Sequence, residues 1–322
     1  MMTTKIIRRY SLITILLIVS IFISLCVGSV MIHPIDAIKG IFTQDDFILN
    51  EYRIPRTLLG IIIGSSLAIS GAIIQAVIRN PLASPDVIGI SKGASLAAVI
   101  IIMTFPTAPL FVLPIGSFLG AFAVSLFLSF LISKYDVKGS KLALIGLAIG
   151  AICMAIVQFL LIRNPLEANK ALVWLTGSLY GHDMSNIYTI LPWFLITIPI
   201  IILLSYQLDV LNLGDAVATA LGLKVKTIKM LLLILAVILA GSAISVVGGI
   251  SFLGLIAPHI ARQLIGNKTL HVIIMSGLIG AILLTFGDGL ARGIHPPLDI
   301  PVGVIIAIIG APYFLILLRR MK

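Results

Sequence analysis

Long apolar segments limit what this chain can fold into more than any other feature of its sequence. A helix needs about 20 mostly apolar residues to cross a bilayer, and most of the segments reach that length. The eighth is short and contains Pro258, which predicts a half-buried or discontinuous helix there. The ten segments cover roughly residues 11–32, 57–78, 88–105, 109–132, 141–162, 187–206, 228–248, 251–265, 271–290 and 301–318.

The composition excludes a water-soluble protein of this size. Hydrophobic residues make up 60% of the 322 positions and charged residues only 11%, which is more apolar surface than a soluble core can use. The linkers are mostly short, and no soluble domain is inserted between the segments. We therefore predict an all-α, polytopic membrane protein with one transmembrane domain over residues 1–322.

The basic residues predict how the chain is oriented, because cytoplasmic loops carry an excess of Lys and Arg. With the N-terminus in the cytoplasm, 16 of the 22 basic residues fall on the inner side and 6 on the outer side. The basic N-terminus and first apolar run could pass for a secretory signal. The run is long for that role and no clear cleavage site follows it, so we interpret it as the first spanning helix. This pattern predicts ten crossings of the cell membrane, with both termini in the cytoplasm.

Several missing motifs narrow the function. Cys26 and Cys153 both lie inside apolar runs, so neither a disulfide nor a thiolate metal site is expected. His259 has no second metal-ligand residue three or four positions away, which favours a structural histidine. No G-x-x-x-x-G-K-[ST] sequence occurs, so the chain is not expected to hold a nucleotide. We predict that it binds no cofactor.

The stretch 51–95 combines features of a helix that lines a transport path. Arg53 and Arg56 precede the apolar run, small residues recur along it as in close helix packing, and two prolines follow Arg79 as a stop. The alternative is an ordinary spanning helix with an irregular turn after it. Gln75, inside the run, could face the path or bind a neighbouring helix; we favour the second role.

The longest inner loop, residues 205–229, contains a predicted short helix over residues 213–222. Asp215 stands in its first turn, where the helix dipole favours a carboxylate, and Gly222 is a natural C-terminal stop. Such a helix could dock into a groove on a partner. It could equally lie on lipid headgroups.

Two further stretches carry candidate functional residues. Residues 248–262 contain several glycines and a proline, which predicts irregular backbone covered by protein or lining a cavity. Asp288 and Arg292 are four residues apart, so a helix would bring them together. They form either a local ion pair, or an arrangement in which Arg292 joins Arg53 and Arg56 to meet carboxylates of a partner protein.

The motifs together resemble the permease subunits of type II ATP-binding-cassette importers for iron–siderophores, haem and vitamin B12. The resemblance covers nearly all of the chain from Arg53 to Arg320. It is carried by Arg53-Ile-Pro-Arg56, Gly71-Ala-Ile-Ile-Gln75, Asn80-Pro-Leu-Ala-Ser-Pro-Asp-Val-Ile-Gly89, Gly248-Gly-Ile-Ser-Phe-Leu-Gly254 with Ala257-Pro-His-Ile-Ala-Arg262, Pro301-Val-Gly303 and Gly310-Ala-Pro312.

The resemblance implies partners and roles for particular residues. It implies two permease subunits around a central path, two ATPase subunits that bind ATP and Mg²⁺, and an extracytoplasmic substrate-binding protein. The roles it implies are docking of the binding protein by Arg53, Arg56 and Arg292; a cytoplasmic gate at Asn80, Leu82 and Ser140; and ATPase coupling by a helix at about 211–223 with Asp215, Ala218, Leu221 and Gly222.

We therefore expect a transport subunit, not an enzyme, that moves iron(III)–siderophore complexes inward with energy from separate ATPase subunits. A vitamin B12 or haem permease of the same architecture is an alternative. An ion-coupled secondary transporter is a rival of another class. The chains of acidic residues at mid-span that are typical of such transporters are missing.

Overall fold

The computed structural model describes residues 2–43, 46–109, 111–135, 140–296 and 298–320. These residues form helices joined by short turns, and none of them lies in a β-strand. The helices are α1 (Met2–Cys26), α2 (Pro34–Thr43), α3 (Ile54–Ile78), α4 (Ile90–Thr104), α5 (Val112–Tyr135), α6 (Ser140–Arg163), α7 (Pro165–Leu175), α8 (Met184–Leu203), α9 (Ser205–Asn212), α10 (Asp215–Ala220), α11 (Val225–Val247), α12 (Leu253–Ile265), α13 (Thr269–Ile294) and α14 (Val302–Arg320).

Every predicted apolar segment coincides with one of these helices, and the all-helical membrane class is confirmed. In the described residues, seven helices are long and apolar enough to cross a membrane: α1, α3 with the π-helical turn Ile48–Arg53 before it, α5, α6, α8, α11 and α13. Helices α4 and α14 are apolar but shorter, and α12 has 13 residues. The sequence did not predict α2, α7 and α9 as separate helices.

Helix α3 is the centre of the molecule and packs against α11, α12 and α13. Buried residues make up 83% of its most apolar window, against 22% in each of α1, α5, α6 and α8. Glycines in α3 permit the neighbouring helices to approach closely. A Cβ at Gly64 would overlap the carbonyl of Gly280 in α13, and one at Gly71 would overlap the carbonyl of Gly254 in α12. The predicted close packing of this stretch is therefore confirmed at two helix crossings.

Helix α12 runs unbroken through Pro258, so the discontinuous helix is the wrong one of our two predicted alternatives, and the half-buried helix stays a prediction. Proline has no N–H to donate to the carbonyl four residues earlier, here that of Gly254. The Gln75 side chain donates instead to the carbonyl oxygens of Gly254 and Leu255, at 3.4 and 3.3 Å. The bond to Gly254 gives its carbonyl oxygen, which Pro258 leaves without a donor, a partner from another helix. Gln75 therefore binds a neighbouring helix, as predicted.

The irregular segment lies before α12, at residues 248–252. Gly248 has a φ of 79° and packs against the Trp174 carbonyl, so a side chain there would be both strained and blocked. The Ser178 N–H donates to the Val247 carbonyl at 2.9 Å, and the Gly303 N–H to the Gly177 carbonyl at 3.0 Å. Three interruptions of helix thus bond to one another, which is how irregular backbone is stabilised inside a membrane protein.

Candidate functional site

A groove of about 610 Å³ opens where those three interruptions meet. It lies between the end of α7, the 248–252 segment and one face of α14. Gly303, Ala307 and Ala311 recur every four residues along α14, so small side chains form a continuous wall. The other lining residues are Leu175, Thr176, Gly249, Ser251, Val304, Ile308 and Pro312.

The sequence predicted only part of this groove. The glycines at 248–249 indicated irregular backbone at a cavity, and the structure confirms that for Gly249. The contribution of α14 was missed, although its small residues at four-residue spacing were visible in the sequence. The groove has few polar side chains, so it can enclose a large solute without binding it tightly.

Arg56 is the centre of a buried charged cluster at one end of α3 and α13. Its guanidinium donates to both carboxylate oxygens of Asp288, at 2.8–3.0 Å, and to Asp299 at 2.8 Å. Only 1% of Asp288 and 7% of Arg56 is exposed. Charge-assisted, bidentate hydrogen bonds between a guanidinium and a carboxylate are stronger and more specific than hydrogen bonds between neutral groups.

Arg292 joins the same cluster from the last turn of α13. Its guanidinium lies 3.0 Å from Asp288, which confirms the ion pair predicted from the four-residue spacing. It also donates to the carbonyl and hydroxyl oxygens of Ser24 in α1, each at 2.9 Å. Asp288 therefore binds two arginines, and through them links α1, α3 and α13.

Arg53 caps the C-terminal end of α1. It donates to the carbonyls of Leu25 at 2.6 Å and Cys26 at 2.9 Å, and also to that of Val30. The Leu25 and Cys26 carbonyls lie at the end of α1 and have no partner within the helix, and a cation there suits the negative end of the helix dipole. The three arginines predicted to dock a binding protein thus already have partners inside the chain, and each is at most 7% exposed.

Two of the three predicted gate residues, Asn80 and Leu82, lie in the turn after α3. The Asn80 side chain accepts from the Leu82 N–H at 2.9 Å, which fixes the turn. Leu82 packs in an apolar cluster with Tyr313, Phe314 and other residues of α12 and α14. Ser140 begins α6, and its side chain lies outside the part of the structure that is described.

Helix α10 carries the residues predicted to couple to the ATPase. Only Asp215–Ala220 is helical, and glycines in the left-handed region flank it, Gly214 with φ 117° and Gly222 with φ 84°. Leu221 is 65% exposed, whereas Ala218 is completely buried. A partner could therefore contact Leu221 directly, while Ala218 packs within the chain itself.

Asp215, in the first turn of α10, forms ion pairs with two cations. Lys229 lies 2.7 Å away, and Arg79, at the end of α3, pairs with the other carboxylate oxygen. Burial opposes ionisation of Asp215, but Lys229 and Arg79 outweigh it and hold the pKa of this carboxyl below its ordinary value. The backbone of Arg79 is left-handed, with φ 55°, and its side chain also donates to the Leu211 carbonyl at 2.7 Å. The sequence predicted neither bond, since the partners are far apart along the chain.

His259 bonds within its own helix. Its Nε2 lies 2.8 Å from the Gln263 amide, and its ring packs edge-on against Tyr313. In the described part of the chain no group of three or more His, Cys, Asp or Glu residues could hold a metal ion. His259 joins α12 to α14 near the turn that carries Asn80 and Leu82.

Comparison with known proteins gives consistent results along the whole chain. The profile of the FecCD transport family matches residues 16–320. The Fe(3+)-citrate import system permease protein YfmE of Bacillus subtilis (strain 168) is 46% identical over 311 residues, which is 96% of this chain and 93% of that protein. The Fe(3+) dicitrate transport system permease protein FecD of Escherichia coli (strain K12) is 42% identical over 276 residues, 86% of each chain.

A solved structure has the same fold. It is an inward-facing conformation of a metal-chelate type ABC transporter, with a TM-score of 0.85 and 26% sequence identity over 99% of both chains. The similarity therefore extends to the arrangement of the helices.

Proposed function

The chain belongs to the FecCD transport family and is a permease of the ATP-binding-cassette importer class, and we propose that its cargo is an iron(III) chelate of the siderophore type. The observation that carries this proposal is the match of nearly the whole chain to permeases named for Fe(3+)-citrate import. The groove between α7 and α14 agrees with it, because a volume of about 610 Å³ suits a metal chelate more than a bare ion.

We propose that this groove is one wall of the transport path and that a second permease subunit completes it. The wall is built from small and apolar side chains, which favours passage over tight binding. The cargo would then be selected mainly by the substrate-binding protein. Two ATPase subunits would supply the energy and hold the ATP and Mg²⁺, so we expect no enzymatic activity in this chain.

The proposed topology has ten crossings of the cell membrane and cytoplasmic termini. The excess of basic residues on one side supports it, as does a helix at every predicted segment. A cysteine scan in a variant without Cys26 and Cys153 tests it. A cysteine at Lys224 should react only from inside, and one at Arg163 only from outside. Labelling of Lys224 from outside would exclude this topology.

Docking of a binding protein on the arginine cluster stays a prediction. A carboxylate of that protein would have to replace one that the arginines already bind. Asp299 is the exchangeable partner, because its side chain is 23% exposed while that of Asp288 is 1% exposed. Replacing Asp299 with Asn should therefore strengthen docking, since it frees one side of Arg56. Weaker docking by this variant would argue against the role.

Reconstituted transport tests the proposed function. The permease, with its ATPase subunits and binding protein in proteoliposomes, should take up radioactive iron as ferric citrate or a ferric siderophore when ATP is supplied. An ATPase variant that cannot hydrolyse ATP is the control. Uptake of vitamin B12 or haem in place of iron chelates would move the cargo to the alternative class. Uptake that needs an ion gradient and no ATP would overturn the proposal.

A further inference from the structure

A second cavity, of about 720 Å³, lies beside the turn that follows α3. Its walls come from α3, α9, α12 and α13, so it is separate from the groove along α14. Most of its polar groups are amides and cations. The lining residues that carry polar groups are Gln75, Arg79, Asn80, Asp209, Asn212, His259, Arg262, Gln263, Asn267 and Thr269.

Arg262 is the unusual residue in this cavity. It is half-buried, and within the described residues no carboxylate lies within ion-pair distance of it. One nitrogen donates to the Gln75 side chain at 2.6 Å. A guanidinium has five N–H groups in a planar fork, so most of its donors have no protein acceptor in the described part of the chain. Partial burial of a cation without a counter-charge is costly.

Gln75 holds Arg262 in place. It is 2% exposed, and its amide nitrogen donates to the Gly254 and Leu255 carbonyls. Its oxygen must therefore face the other way, toward Arg262. The position of the guanidinium is fixed through this chain of hydrogen bonds, so the charge is preorganised before any ligand arrives.

The other two charged residues that line the cavity, Asp209 and Arg79, each have a hydrogen-bond or ion-pair partner. Asp209 accepts from the Thr269 N–H at 2.9 Å and caps the start of α13. Arg79 pairs with Asp215, which also binds Lys229. Among the described residues, Arg79 thus has a carboxylate partner, whereas Arg262 has none within ion-pair distance.

We propose that this cavity binds an oxyanion, a carboxylate or phosphate group held by the fork of Arg262. A planar guanidinium matches the two oxygens of such a group and binds them with two parallel hydrogen bonds. Neighbouring amides such as Gln263 and Asn267 supply further donors. The oxyanion could come from a polycarboxylate, from free phosphate or from a lipid headgroup; the proposal does not depend on which chelate the transporter moves.

The test measures anion binding to the purified permease–ATPase complex in detergent. Citrate and inorganic phosphate are titrated separately by calorimetry at constant ionic strength, with chloride as the reference anion. Anionic lipid that remains with the protein is quantified by mass spectrometry. We expect saturable binding of citrate or phosphate, or one tightly held anionic lipid per chain, and the probe that binds identifies the source.

Three variants locate the site. Arg262→Gln should weaken the binding roughly 10- to 150-fold, the range expected for hydrogen bonds to a charged group. Gln75→Glu should weaken it equally, because a carboxylate of the same size then neutralises Arg262 from within. Arg319→Gln, which removes an exposed arginine in the last turn of α14, is the matched control and should bind as the unmodified chain does.

The outcomes decide the proposal in each case. Loss of binding in Arg262→Gln and Gln75→Glu, with binding kept in Arg319→Gln, supports the site. Equal binding in all variants, or no citrate, phosphate or anionic lipid bound to the unmodified complex, overturns it. If Arg262→Gln fails to fold, Arg262→Lys decides, since Lys keeps the charge but loses the fork and should bind less tightly.

Discussion

The buried carboxylate of Asp288 should stabilise the protein far more than the neighbouring Asp299 does. Asp288 is 1% exposed and binds both Arg56 and Arg292, whereas the Asp299 side chain is 23% exposed and binds Arg56 alone. We consider Asp288→Asn and Asp299→Asn, because both replacements keep the shape of the side chain and remove only its charge.

The two magnitudes follow from burial. Removing one member of a buried ion pair costs about 3–5 kcal/mol, because the remaining charge stays buried and unpaired. Removing one member of a partly exposed pair costs about 1 kcal/mol or less. Asp288→Asn leaves Arg292 with uncharged acceptors, the two oxygens of Ser24 and the backbone carbonyl of residue 288, so the larger value applies. Asp299→Asn leaves Arg56 bound to Asp288.

The assay is thermal inactivation of the detergent-solubilised protein at one heating rate, since unfolding of such proteins is commonly irreversible. At roughly 2 °C per kcal/mol, Asp288→Asn should lower the midpoint by about 6–10 °C and Asp299→Asn by about 2 °C. Adding Arg292→Gln to Asp288→Asn should recover part of the loss, because it removes the stranded cation.

Two results would refute this reasoning. Equal midpoint shifts for the two single variants would mean that burial does not set the cost. If the midpoint shift of the double variant equalled the sum of the shifts of Asp288→Asn and Arg292→Gln measured separately, Asp288 and Arg292 would not interact, despite their 3.0 Å separation.

Three further predictions test other parts of the structure. Leu221→Glu should leave the protein stable but uncouple ATP hydrolysis from uptake, because Leu221 is exposed, whereas Ala218→Glu should reduce the yield of folded protein because Ala218 is buried. ATPase and uptake assays on both variants check this prediction. Normal uptake by Leu221→Glu would exclude a coupling role for Leu221. His182 lies between α7 and α8, and burial lowers its pKa from the ordinary value of 6.5, so the unfolded chain binds a proton that the folded chain does not. Stability should therefore fall as the pH drops below about 6.5. Denaturation measured between pH 5 and 8 should show this slope, and His182→Gln should lose it. Gly71→Ala should destabilise the protein by about 1–3 kcal/mol or more, because the added Cβ overlaps the Gly254 carbonyl; an unchanged thermal midpoint would contradict the close contact of α3 with α12.

The amino-acid sequence alone determined the class of this protein and the positions of its main helices. Apolar segments of spanning length have no stable alternative to helix in a bilayer, because every backbone group must be bonded within the segment. Small residues along 57–78 indicated a tightly packed helix, and the four-residue spacing of Asp288 and Arg292 indicated their ion pair. These are local properties, and they depend only on the pitch of a helix and the polarity of its surroundings.

Only the tertiary structure decided which partners the polar residues have. Arg56 meets Asp288 across 232 residues of sequence, and Gln75 fills the hydrogen-bond gap that Pro258 leaves in another helix. The sequence spacing of such residues carries no information about these contacts. The arginines that could have been free docking charges are therefore buried and paired, while Arg262 stands in a cavity without a carboxylate among the described residues. The physical reason is that burial of a charge is decided by which helices pack together, and that packing is set by the fit of small residues such as Gly64 and Gly71 against distant backbone.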